Sequence, residues 1–213
     1  MKIIVRIIVF SSLLLEFFCS ASPADDSNNV LDKKDTVIYF SSHIRLIGHR
    51  SEGSGWTSFK PIEIFLDKNQ IYRDTINEYW LTGYTSKQYP RLLNCLNGNV
   101  QLLIEVDERP FINDLQLFSI FKEGQIKMEK VPIFDWDPKD INHDGKLDVM
   151  GVLIDGETIA QGDTAFYNPT LVYELSTRCL KLDSSATIKM NEEIWGKFHG
   201  YHYNDSLLLH YNR

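Results

Sequence analysis

One short stretch carries oxygen-bearing side chains in a regular pattern: Asp140-Ile141-Asn142-His143-Asp144-Gly145-Lys146-Leu147-Asp148. Calcium, a hard cation, takes six to eight oxygen ligands at about 2.3–2.6 Å. In a tightly curled loop, side chains at alternate positions converge on one such ion. Gly145 follows the third acceptor and permits the sharp turn, because it reaches backbone angles closed to other residues. The carbonyl of Lys146 then points inward as a further ligand. The expected chemistry is coordination of one Ca2+ by Asp140, Asn142, Asp144, Lys146 and Asp148, with three carboxylates supplying charge for the ion to neutralise. Asp, Asn and Gly also favour turns that hold no metal. Four acceptors in register with the glycine favour the ion over that plainer reading.

The flanks say which kind of loop this is. A helix–loop–helix site wants a bidentate Glu at the twelfth loop position, and counting from Asp140 that position is Gly151. Val131-Pro132-Ile133-Phe134 before the loop and Val149–Ile154 after it read as strands, not helices. The pattern Asp-x-Asn-x-Asp-Gly-x-x-Asp between strands resembles the calcium loops of FG-GAP/VCBS-type repeats, which occur in integrin-like β-propellers and bacterial surface proteins. The resemblance spans the loop and its flanks alone. It implies calcium ligands at Asp140, Asn142, Asp144 and Asp148 and at the Lys146 carbonyl, in a structural rather than a catalytic role. No second loop of this kind follows, and a propeller needs about four blades of four strands. The expected architecture is therefore a compact β-sandwich or open barrel with one calcium-pinned turn, not a full propeller.

Other constellations are thinner. His199 and His202 lie three apart around Gly200 among aromatics, which suits a strand or turn rather than a zinc-binding helix face. His43 and His49 flank a candidate strand, and the Gly/Ser-rich loop Ser51–Trp56 has neither the lysine nor the helix of a phosphate-binding loop. Trp56, Tyr79, Trp80, Tyr84 and Tyr89 could form a sugar-stacking platform, although aromatic residues of this kind more often pack inside. Asn204-Asp205-Ser206 fits a glycosylation sequon. No local signature of a nucleophile and base appears, so catalytic carboxylates of an exported polysaccharide hydrolase, the alternative function, cannot be nominated by residue.

The elements that must position the loop are short and apolar. Candidate strands are Thr36–Phe40, Ile44–Gly48, Ile62–Leu66, Val100–Val106, Leu115–Phe121, Gln125–Val131, Val149–Ile154, Leu171–Leu175, Ala186–Met190 and Ser206–Tyr211. Several alternate with the two-residue period of a sheet with one buried face. Lys122-Glu123-Gly124 reads as a hairpin turn between two of them. One helix is expected, Pro90–Leu96, with Pro at its first position and Asn97-Gly98 as its cap. With 10 Tyr and 12 Phe the chain is rich in strand-forming aromatics.

Met1–Ala21 has a basic start, an apolar run over Ile7–Leu15 and small residues at its end, the layout of a signal peptide. Cleavage after Ala21 or Ala24, lipid attachment at Cys19, and a retained anchor all remain open. Ser22–Lys34 reads as a polar leader, and residues 35–213 as a single β-rich domain. No further stretch approaches the ~20 apolar residues of a membrane span. Cys95 and Cys179 would remain after processing, as one disulfide in an oxidising compartment or as two buried thiols. The chain's net charge of −7 argues against a nucleic-acid partner, which needs a basic face. These readings converge on a secreted, periplasmic or outer-envelope β-domain holding one structural Ca2+. It would bind a protein or glycan at the cell envelope rather than catalyse.

Overall fold

Strand-forming runs split by Gly, Asn and Asp turns give a mainly β chain in the computed structural model, which describes residues 35–51, 58–81, 88–108, 113–134, 136–154 and 164–210. The described residues all fall within one unit, Asp32–Arg213. Nine antiparallel strands form the largest sheet: β1 (Asp35–Tyr39), β2 (Ile44–Arg50), β3 (Phe59–Leu66), β4 (Asn69–Asp74), β5 (Tyr79–Trp80), β6 (Arg91–Asn94), β7 (Val100–Val106), β8 (Asp114–Ile120) and β9 (Ile126–Val131). Its main path runs β1-β2-β3-β5-β7-β8-β9, with β4 beside β3 and β6 beside β7. After the loop come β10 (Asp148–Val152), β11 (Thr164–Tyr167), β12 (Thr170–Glu174), β13 (Lys181–Leu182), α1 (Ser184–Trp195) and β14 (Asn204–His210). They make a three-stranded sheet β10-β12-β13 and a ribbon β11-β14.

Two cores follow from the alternation along β7 and β8. Leu102, Ile104, Phe118 and Ile120 enter one core with Leu46, Ile62 and Ile64 of β2 and β3. Leu103, Leu115 and Leu117 enter the other, packing with Val149, Leu171 and Tyr173 of the small sheet. Strands buried on both faces read as continuous apolar runs, as Leu102-Leu103-Ile104 does. Tyr72 on β4 packs edge-on against Phe118 on β8, ring centroids 5.1 Å apart. Those strands are far apart in the sheet order, so the sheet curls over the first core without closing. Across the second core it stacks on the small sheet, and the result is a β-sandwich.

The hairpin forms as expected: the Phe121 and Gln125 backbones pair at 2.9 Å, and Gly124 takes φ 81°. Three expectations fail. The flank Val131-Pro132-Ile133-Phe134 is strand only at Val131, where β9 ends, since Pro132 has no N–H for a sheet ladder. Pro90–Leu96 is not a helix; Arg91–Asn94 is β6, with Leu92 opposite Leu102 on β7. Leu92 packs on the first core and its neighbour Leu93 on the second. Burying adjacent residues on opposite sides needs a strand, and that outweighs the local helix signals. Ala186–Met190 is not a strand but the middle of α1. Asp183 caps this helix by accepting from the Ala186 N–H at 2.9 Å, and Gly196 ends it at φ 76°. Its buried residues are Ala186, Thr187 and Asn191, one face of a helical repeat.

Candidate metal centre

The loop is closed at its base. The Lys139 N–H donates to the Asp148 carbonyl at 2.9 Å, and the Asp148 N–H donates back to Lys139 at 2.7 Å. The Leu175 N–H holds the Leu147 carbonyl at 2.8 Å, tying the loop to the end of β12. Between these ties the chain turns through two left-handed residues, His143 at φ 63° and Gly145 at φ 85°. Each predicted side-chain ligand accepts from a backbone N–H of the loop itself. Asp140 accepts from the Asp144 N–H at 3.0 Å and the Gly145 N–H at 3.1 Å. Asn142 Oδ1 accepts from the same Asp144 N–H at 3.0 Å, so it stands beside Asp140 Oδ1. Asp144 Oδ1 accepts from the Lys146 N–H at 2.9 Å, and Asp148 Oδ2 from the Ile141 N–H at 3.1 Å.

Asp148 is the exceptional member. It is fully buried, and its Oδ1 has no hydrogen-bond partner among the described residues. Burial raises its pKa above the usual carboxylate range; the Ile141 and Asn142 N–H groups pull it down, and the charges of Asp144 and Asp183 push it up again. A buried carboxylate with one bare oxygen beside two other acids is a site of uncompensated negative charge.

The three carboxylates whose oxygens lie within 4.8 Å of one another are a different set, Asp144, Glu174 and Asp183. Asp140 and Asp148 are outside it. Lys146 was expected to act through its carbonyl, yet its ammonium bridges this cluster, 2.6 Å from Glu174 Oε2 and 3.3 Å from Asp144 Oδ2. That bridge raises the Lys146 pKa, chiefly through Glu174, and lowers that of Glu174; Asp144 is held down first by the Lys146 backbone N–H and then by the ammonium. Asn142 Nδ2 donates to Asp183 Oδ2 at 2.8 Å, joining loop to helix cap. Glu174 and Asp183 escaped the sequence reading. Asp183 had a signal, since Asp183-Ser184-Ser185 is a helix start, but it was masked by reading the following residues as a strand. Glu174 ends a correctly placed strand, and nothing local marks its partner.

The remaining expectations settle into packing. Tyr79, Trp80 and Tyr89 are buried, so they offer no sugar platform; Trp56 and Tyr84 lie outside the described residues, as do the signal segment and the leader. The His199 ring packs on Tyr167 at 5.2 Å, and His49 Nδ1 meets Asp35 at 3.0 Å. Cys95 and Cys179 form a disulfide, their Cα atoms 5.2 Å apart. Among the described residues no helix is long and apolar enough to cross a membrane. No protein-family model matches the chain, and neither a curated protein nor a solved structure matches it.

Proposed function

We propose that the protein is an exported β-sandwich pinned by one structural Ca2+ and acting as a binding module at the cell envelope. The observation that carries the metal is the buried Oδ1 of Asp148, unpartnered among the described residues, at the base of a loop where Asp140 and Asn142 hold oxygens side by side. The donor set fits the ion: carboxylate, amide and carbonyl oxygens are what a hard cation takes. Asp140, Asn142, Asp144 and Asp148, with the Lys146 carbonyl, would hold it. The ion would neutralise the charge that Asp148 otherwise carries alone and would fix the turn entering β10. The Cys95–Cys179 disulfide supports export, because such bonds persist in oxidising compartments.

The test is thermal unfolding in calcium and in EDTA. Ligand at a hundred times its Kd adds about 2.7 kcal/mol, which is about 5–10 °C for a chain of this size. Asp148→Asn is expected to abolish that increment while melting at or above the wild-type temperature in EDTA, since it removes a buried uncompensated charge. An increment that survives in Asp148→Asn would defeat the assignment.

A further inference from the structure

The inner faces of β7, β8 and β9 change character along their length. In the second core Leu115 stands opposite Val131, and Leu103 opposite Leu117. One step further the same face carries Gln101, Ser119 and Lys127 as successive cross-strand neighbours, with Glu129 beside Leu117. A sandwich packed for stability alone fills such positions with apolar side chains. Gln101 holds the Leu180 backbone, accepting from its N–H at 2.7 Å and donating to its carbonyl at 3.0 Å, and its amide also donates to Ser119 Oγ at 3.4 Å. The others border an open groove of roughly 650 Å³ where the two sheets part, within the size range of small-ligand sites.

The groove's walls supply polar groups of several kinds. Tyr173 is 4% exposed, and its hydroxyl has no hydrogen-bond partner among the described residues. Glu129 lines the same groove. Lys127 and Glu129 pair at 3.0 Å and present a donor and an acceptor side by side. Lys181 and His202 also line the groove and have no ionic partner among the described residues. In a chain of net charge −7 the lining carries Lys127, Lys130 and Lys181 against Glu129, a local excess of basic over acidic side chains. Tyr201 adds an aromatic ring to the lining.

We propose that this groove binds a sugar bearing a carboxylate. The ring would lie against Tyr201. Its hydroxyls would meet Tyr173, Ser119 and the Lys127–Glu129 pair, and Lys181 with His202 would face the carboxylate. Vicinal hydroxyls match adjacent donors and acceptors, which an extended acidic peptide does not need. The inference rests on the binding-module reading and names its ligand class.

Calorimetric titration of the full, calcium-loaded chain with a short oligogalacturonate tests it, beside the neutral oligogalactoside of equal length and an acidic peptide. The acidic sugar is expected to bind with a Kd below about 1 mM. Tyr173→Phe, which keeps the packed ring, is expected to weaken it about 5-fold, and Lys181→Ala about 10-fold. Equal binding of the neutral sugar, binding of the peptide alone, no binding at all, or unchanged affinity in both variants would each overturn the proposal. The calcium melt is read separately. Calcium stabilisation without sugar binding sinks the groove alone, and sugar binding without a calcium response sinks the metal alone.

Discussion

Asp148 and Asp74 are both buried carboxylates, and the fold treats them in opposite ways. Asp148 keeps a bare oxygen, whereas Asp74 is surrounded by donors. Tyr79 donates to Asp74 at 2.6 Å, the Asn77 side chain at 2.8 Å and the Ile76 N–H at 2.7 Å. Burial alone would raise its pKa, but these bonds hold it below the usual carboxylate range. A depressed folded value means that the group's stabilisation is present above the unfolded pKa, about 3.9, and is lost as pH falls through the folded one. Acid unfolding should therefore show a steep limb below about pH 4. Asp74→Asn should flatten that limb and lower the melting temperature at neutral pH. An unchanged limb in the variant would mean that other carboxylates govern acid stability.

At the scale of elements, α1 does a strand's work. Asn191 Oδ1 accepts from the Thr170 N–H at 3.0 Å, and its amide donates to the Thr170 carbonyl at 2.7 Å. Thr187 Oγ1 accepts from the Val172 N–H at 3.0 Å, and the Asp183 N–H donates to the Val172 carbonyl at 2.9 Å. The free edge of β12 is thus bonded by helix side chains where a neighbouring strand would otherwise lie. Asn191→Ala strands both polar groups of Thr170 and should cost about 2–3 kcal/mol, read as a fall in chemical-denaturation stability. A change below about 0.5 kcal/mol would show that water replaces the amide freely. This arrangement also explains the misread segment. Ala186–Met190 has no strong strand or helix pattern of its own, and what decides it is the cap at Asp183 and an edge supplied by residues earlier in the chain. The β7–β9 region was legible because its continuous apolar run in β7, the period-two stretch in β9 and the Lys122-Glu123-Gly124 turn are all intrinsic to the local sequence. β6 was not, because its type is set by β7 lying beside it.

At the scale of the molecule, the long-range ties gather where the two sheets meet. Cys95 and Cys179 are 84 residues apart, and Gln101 holds Leu180 beside them. By loop-closure entropy the disulfide contributes about 4.5 kcal/mol. Reduction, or the paired Cys95→Ser and Cys179→Ser change, should lower the melting temperature by about 9–18 °C. A shift of only a degree or two would show that the unfolded chain is already held together without the bond. The candidate metal loop was readable as a local pattern of acceptors around a glycine. Its neighbours Glu174 and Asp183 were not, since only the sheet and the helix cap bring them to Asp144.

The helix on the edge of β12 has one more effect. Exposed strand edges are where β-rich chains join one another, since each bare N–H and carbonyl is a template for another chain. A second copy approaching β12 finds those groups already bonded to Asn191, Thr187 and Asp183. It would have to displace a whole helix before forming its first bond. Barriers built from like charges fade as salt rises. This one is made of hydrogen bonds and bulk, so crowded copies of the protein should stay separate along this edge in dilute and concentrated salt alike.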